Sequence, residues 1–217
     1  MSSNQTYREH DFSQQNLQDT IFENCHFYQC NFNRTDLRDA KFIDCKFIEA
    51  GDRIGCQFNY ADLRDASFKQ CKLGMANFQG ANGFGVEFRE CDLQGASFVK
   101  TNFVNHISNQ SYFCSVYITG CNLSYTNFEG QCIEKCDLFE NRWTGANLHR
   151  AYFKGSDLSR GEFSEDCWTQ FDIQYCDLTN CELYGLDPRR VNLNGVKICD
   201  WQQAQLLERL GLVILPS

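Results

Sequence analysis

Large apolar residues recur along this chain at every fifth position. Phe12, Leu17, Phe22, Phe27, Phe32, Leu37, Phe42 and Phe47 follow one another at that spacing without exception. The frame then slips by one residue and resumes at Phe58. From there to Ile198 it spans 29 positions, of which 26 are Phe, Leu, Ile or Trp and only Gly83, Ser108 and Pro188 depart. A period of five suits neither regular element. Five steps along an α-helix turn a side chain by roughly 500°, and an odd step along a strand carries it to the opposite face. The chain therefore turns a corner in every repeat.

With the large residue named i, position i−2 is usually small, as in Ala61, Ala66, Cys71, Ala76 and Ala81. In an extended segment i−2 and i point the same way, so one small and one large side chain enter a common core. Position i−1 is Asp nine times and Asn nine times, among them Asp36, Asp62, Asp92, Asn102, Asn122 and Asn147. These face outward, where Asx side chains bond nearby backbone amides and suit turns. The pattern predicts an all-β solenoid in which short extended edges alternate with turns and each coil stacks on the last.

Runs such as ADLRDASFKQCKLGMANFQGA, GSDLSRGEF and CDLTNCELYGLD resemble the A(D/N)LXX consensus of pentapeptide-repeat proteins. Periodicity gives only a coil with corners. The resemblance, from about Phe12 to Ile198, implies a right-handed quadrilateral β-helix with four repeats per coil. Residues twenty apart, such as Phe58, Phe78 and Phe98, then stack at roughly 4.8 Å, and about nine coils make a rod of roughly 45 Å.

Composition narrows the function. Hydrophobic residues make up 42% of 217 residues, enough to fill the core. A formal net charge of −8 argues against direct nucleic-acid binding and suits a partner that itself binds phosphates. The N-terminus has no apolar signal region and no run spans a bilayer, so a reducing cytoplasm is expected, with no membrane contact. Ten of the fourteen cysteines, Cys25, Cys30, Cys45, Cys56, Cys71, Cys91, Cys121, Cys136, Cys176 and Cys181, fall at i−2 and read as core filler. They lack zinc-site spacing, and His10, His26, His106 and His149 belong to no catalytic or metal motif. The reading is of no metal, no cofactor and no catalysis: a protein that presents a surface to a partner.

The breaks in the pattern are the candidate binding elements. The slip between Phe47 and Phe58 predicts a bulging extra residue within a smaller loop, formed by Ile48, Glu49, Ala50, Gly51, Asp52, Arg53, Ile54 and Gly55. A larger loop comprises Val104, Asn105, His106, Ile107, Ser108, Asn109, Gln110, Ser111, Tyr112, Phe113, Cys114 and Ser115. It keeps the frame by count but places His106 and Ser108 where a core cannot hold them. Gly83 has no evident role, and Pro188 fixes a turn near the end of the stack. The coil domain runs over residues 1–199. Residues 200–217 read as a short helix with Asp200 as N-cap and Gly211 as its stop, followed by an apolar tail, Leu212 to Leu215, expected as a strand that a second copy covers.

The order of these features is similar to that of the Qnr quinolone-resistance family. The strings carrying the likeness are YFCSVYITGCNLSYTNF, EKCDLFENRW, GSDLSRGEFS, LDPRRVNLNGVKI and LLERLG. The resemblance implies a cytoplasmic homodimer joined through the C-terminus, an acidic DNA-mimicking rod that binds DNA gyrase and topoisomerase IV and protects them from quinolones. It implies partner contacts on the two loops and dimer contacts on Leu207, Leu210, Leu212, Val213 and Ile214. A gyrase inhibitor or regulator without drug protection, and a scaffold for an unrelated partner, are the alternatives.

Overall fold

The computed structural model describes residues 1–108 and 111–215. Ten short strands are present among them: β1 (Ser2–Ser3), β2 (Thr6–Arg8), β3 (Ile21–Glu23), β4 (His26–Tyr28), β5 (Lys41–Ile43), β6 (Ser67–Lys69), β7 (Val86–Arg89), β8 (Val104–Ser108), β9 (Ser111–Cys114) and β10 (Val116–Thr119). One parallel sheet runs β1-β3-β5-β6-β7-β10, and β2 pairs with β4. Single parallel bridges such as Asp11↔Asn31, Asn16↔Asp36 and Asn77↔Ser97 continue the ladder on the other sides. Twenty residues separate most bridged partners, so four five-residue edges close one coil and the next coil lies directly above it.

The corners have a common construction. The residue at i+2 takes a left-handed conformation in nearly every repeat, as at Gln14, Asp19 and Asp39 with φ of 60°, 56° and 58°. At many corners the amide of i+3 then bonds the carbonyl of i, as from Ala40 to Leu37 at 3.1 Å. Positive φ at the third residue with that bond defines a type II turn. Glycine occupies i+2 at Gly80, Gly95, Gly120, Gly130 and Gly145, where it adopts this conformation without strain. The outward Asx residues brace the edge before the corner: Asp11 Oδ1 accepts the Ser13 amide at 2.9 Å and Asn31 Oδ1 that of Asn33 at 3.0 Å.

Inside, the i residues stack in columns. Phe12, Phe32, Phe58, Phe78, Phe98 and Phe128 form one run of nearly parallel rings with centroids 4.7, 4.8, 4.9, 4.9 and 4.5 Å apart. The strand spacing imposes that distance, and it falls within the favourable range for offset aromatic pairs. The small i−2 residues do more than fill space. Cys45, Cys71, Cys91 and Cys121 donate their thiols to the carbonyls of Phe22, Phe42, Phe68 and Phe88 in the coil below, and Thr35 and Thr101 do the same for Phe12 and Phe78. At Phe22, Phe42, Phe68 and Phe88 the thiol takes the place of the turn amide, whereas the carbonyls of Phe12 and Phe78 accept both the threonine hydroxyl and the amide of i+3.

Gly83 has a steric explanation. It belongs to the column Leu17, Leu37, Leu63, Gly83, Phe103, as the bridges at the preceding residues show. A Cβ on Gly83 would lie 2.9 Å from Cε1 of Phe103, so the ring above occupies the space a side chain would need. Gly83→Ala should therefore lower stability by about 1–3 kcal/mol in chemical denaturation, and Phe103→Leu should reduce that loss. An equal loss in both backgrounds would show that the Phe103 ring does not set the restriction.

Candidate functional site

The register fixes the size of both loops. Across the smaller one the bridge offset rises from 20 to 26, as in Asn31↔Gln57 and Asp36↔Asp62, so six residues are inserted rather than the one that the frame slip suggests. A count modulo five reveals only the remainder. Across the larger loop the offset rises to 30, as in Asp92↔Asn122 and Ser97↔Asn127. Ten residues are inserted there, two whole repeats, which is why the frame survives. Phe113 falls in that frame yet is 44% exposed, so it is not a core position; Ile118 resumes the core.

The smaller loop leaves after Phe47 and returns at Cys56. Glu49 receives two bonds of 2.8 Å from the guanidinium of Arg8, which ties the loop to the first coil. Gly51 turns at φ 95°, and the Asp52 amide bonds the Glu49 carbonyl at 3.1 Å. Ile48 and Asp52 are half-buried, Gly55 is buried, and Glu49, Ala50, Gly51, Arg53 and Ile54 are exposed.

The larger loop is a β-hairpin. Strands β8 and β9 pair antiparallel, Val104 with Cys114, Asn105 with Phe113, His106 with Tyr112 and Ser108 with Ser111, with an irregularity between His106 and Ser108. Asn109 and Gln110 lie outside the described residues. Asn105, His106, Ile107, Ser108, Ser111, Tyr112 and Phe113 are exposed, with Ile107 at 73%, and only Val104, Cys114 and Ser115 are partly covered. Side-chain contacts of the described residues set the hairpin against the rod. The Phe113 ring meets Phe84 edge-on at 5.1 Å, the Tyr112 hydroxyl donates to Glu134 at 3.1 Å, and Cys114 Sγ lies 3.8 Å from Cys132 Sγ. Cys132 first, then the bond to Glu134, pushes the Tyr112 hydroxyl up to about 12. Phe84, Cys132 and Glu134 are outward repeat positions whose role appears only once the hairpin is in place.

The two loops leave the square coil at opposite corners. The smaller follows the column of Phe47 and precedes that of Phe58; the larger follows that of Phe103 and precedes that of Ile118. About two and a half coils, roughly 12 Å along the axis, separate them.

At the C-terminal end a 3₁₀ turn, Asp200–Gln202, leads into α1 (Gln203–Arg209). Cys199, not Asp200, is the N-cap residue, since Asp200 already lies inside the turn. Buried Gln202 donates to the carbonyls of Leu178 and Cys181 at 2.8 and 2.7 Å, and Gln205 accepts the Leu183 amide at 2.7 Å. These two glutamines, which the apolar pattern does not reveal, close the open end of the ladder. Gly211, at φ 84°, stops the helix as expected. The tail forms no strand within the chain: Leu207 is half-buried, while Leu210, Leu212, Val213 and Ile214 are exposed, Val213 by 85%.

Among the described residues no group of three His, Cys, Asp or Glu is placed to hold a metal. Burial pushes the thiols of Cys136 and Cys176 up to about 11 and 12, keeping them protonated and committed to the core. The acidic surface is partly neutralised, since Asp36, Asp62 and Asp187 each pair with an arginine two residues on. Hydrogen bonding to Arg189 holds Asp187 down to about 2. Asp137, Asp157 and Asp177 stack on consecutive coils of one face, with Lys197 3.6 Å from Asp177. No helix among the described residues is long and apolar enough to cross a membrane.

A coil of five-residue edges with these corners defines the pentapeptide-repeat class. Family profiles agree: one described as a pentapeptide repeat region matches residues 15–98 and one for pentapeptide repeats matches 132–165. The structure of a trypsin-treated variant of QnrB1, a plasmid-mediated fluoroquinolone resistance protein, superposes with a TM-score of 0.93 at 42% identity, covering 100% of both chains. The pentapeptide repeat protein VPA0095 of Vibrio parahaemolyticus is 57% identical over 143 residues, 66% of each protein. The quinolone resistance pentapeptide repeat protein QnrB96 of Scandinavium goeteborgense is 48% identical over 140 residues, 64% of this chain and 56% of its own length. The alignments thus span under two thirds of these two relatives. The chain belongs to the Qnr family of pentapeptide-repeat proteins, and its coil is a right-handed β-helix.

The contacts of the hairpin with Phe84 and Glu134 can be removed together. Phe84→Ala combined with Tyr112→Phe should speed hydrogen exchange in β8 and β9 by about tenfold while leaving the melting of the rod unchanged. Unaltered exchange in the hairpin would show that these contacts do not position it.

Proposed function

We propose that this protein binds type II topoisomerases, DNA gyrase and topoisomerase IV, and protects them from quinolone inhibition. The observation that carries the reading is an exposed hairpin projecting from a rod that superposes on QnrB1 over the whole chain. Regular coils repeat one surface, whereas the hairpin and the smaller loop present side chains that occur once. No catalytic step is required of the protein: it acts as a binding scaffold.

Charge supports mimicry of duplex DNA in shape and sign rather than in density. Two chains at −8 each give −16. A rod pair of about 90 Å compares with roughly 53 phosphates on duplex of that length. Loop contacts therefore supply much of the specificity. In this reading the rod and loops engage the enzyme-DNA-drug complex and destabilise it, so that drug leaves and the DNA is resealed.

Supercoiling of relaxed plasmid by gyrase under an inhibitory quinolone tests the proposal. The intact protein should restore supercoiling, and a variant with residues 104–115 replaced by plain repeats should not, while its circular dichroism stays unchanged. No recovery with folded intact protein would refute topoisomerase protection; recovery with the loop variant would remove the hairpin from the mechanism.

The homodimer belongs to the same proposal. Contiguous exposure of Leu210, Leu212, Val213 and Ile214 at the end of the rod leaves an apolar surface that a second copy covers. Sedimentation at micromolar concentration should give the mass of two chains, and Val213→Asp with Ile214→Asp should give one. A monomer for the unmodified protein would overturn this assignment.

A further inference from the structure

Two thiols stand apart from the rest. Cys114 closes β9, and Cys132 lies at the outward i−1 position of a coil edge, bridged to Tyr152. Their sulfurs are 3.8 Å apart, and Cys114 also lies 3.6 Å from the Cys132 carbonyl. Both are only partly buried, whereas the ten i−2 thiols are buried in the core. Cys199, the other partly buried thiol, lies against Asn180 at the far end of the chain. The pair joins the projecting hairpin to the rigid coil, beside the Tyr112–Glu134 hydrogen bond.

We propose that Cys114 and Cys132 form a redox modification site, oxidised by small-molecule disulfides to an intramolecular bond that fastens the hairpin to the rod. The separation is shorter than twice the sulfur van der Waals radius plus any intervening atom, so no group needs to be displaced. Rotation about the two Cα–Cβ bonds then brings the sulfurs to the bonding distance of about 2.05 Å. Cys114 is the attacking group: a hydrogen bond from Cys132 holds its thiol below the ordinary range, with a backbone bond from Glu134 in the same sense. Its thiolate displaces one thiolate from the small disulfide and leaves a mixed disulfide on Cys114. Cys132 loses its proton and attacks the Cys114 sulfur, expelling the second thiolate, so the protein gives up two electrons and two protons and the small disulfide becomes two thiols. Strand β9 is then covalently attached at its base, and the hairpin can no longer separate from the coil there.

The proposal stands independently of any topoisomerase. The folded full chain is treated with oxidised glutathione, then denatured in excess alkylating agent so that the core thiols are blocked before they can exchange, and cleaved after glutamate. No Lys or Arg lies between residues 101 and 134, but cleavage after Glu129 places the two cysteines on separate peptides unless they are joined. The expected product is one linked pair, with the intact chain, weighed before alkylation, lighter by about 2 Da and the change reversed by dithiothreitol. Hydrogen exchange in β8 and β9 should slow by about tenfold on oxidation. Cys132→Ser should instead trap glutathione on Cys114, and Cys114→Ser should abolish the link. Free alkylation of both thiols after oxidised glutathione, a link between two chains, or the same intramolecular link in Cys132→Ser would each overturn the proposal.

Discussion

The whole rod depends on a left-handed residue at nearly every fifth position. Without positive φ at i+2 the chain would not turn often enough to return above itself after twenty residues, and neither the ladder nor the ring columns would form. Most of these corners are occupied by residues other than glycine, including Asn, Asp, Gln, Arg, Tyr and Lys. Each such residue costs about 1 kcal/mol relative to an unstrained conformation. The cost is tolerable because each coil pairs with those above and below and places its Phe and Leu side chains at a fixed, favourable spacing. Strain at the corners and order in the core are two sides of one constraint.

That constraint explains which features were legible in sequence. The period, the small i−2 residues, the outward Asx residues and the core columns all follow from side-chain chemistry in a fixed frame. The i+2 corner was also written there, in the glycines from Gly80 to Gly145, but a reading centred on apolar positions passes over it. Gly83 was visible as an exception and unexplained, because its reason lies in Phe103 twenty residues later. Gln202 and Gln205 were illegible for a related reason: their partners are main-chain carbonyls and amides of the last coil, which carry no sequence signal.

The loops show a more specific limit. An insertion is detected by the shift it leaves in the frame, so six residues look like one and ten look like none. His106 and Ser108 betrayed the larger loop through chemistry alone, while Phe113 concealed its extent by being an acceptable core residue in an exposed place. The hairpin itself was not foreseen, since antiparallel pairing is foreign to the repeat and arises from the inserted segment folding on itself. Its attachment through Phe84, Tyr112 and the Cys114–Cys132 pair shows outward repeat positions acting as a local foundation.

Because the two loops emerge from opposite corners of the coil, they define a diameter rather than a patch. A planar surface laid against the rod reaches one of them and leaves the other pointing away. Any body that touches both together has to stand on two flanks of the rod, offset along its axis, as the walls of a cleft do. The helix in such a cleft would resist both rotation and sliding, with each loop acting as a stop.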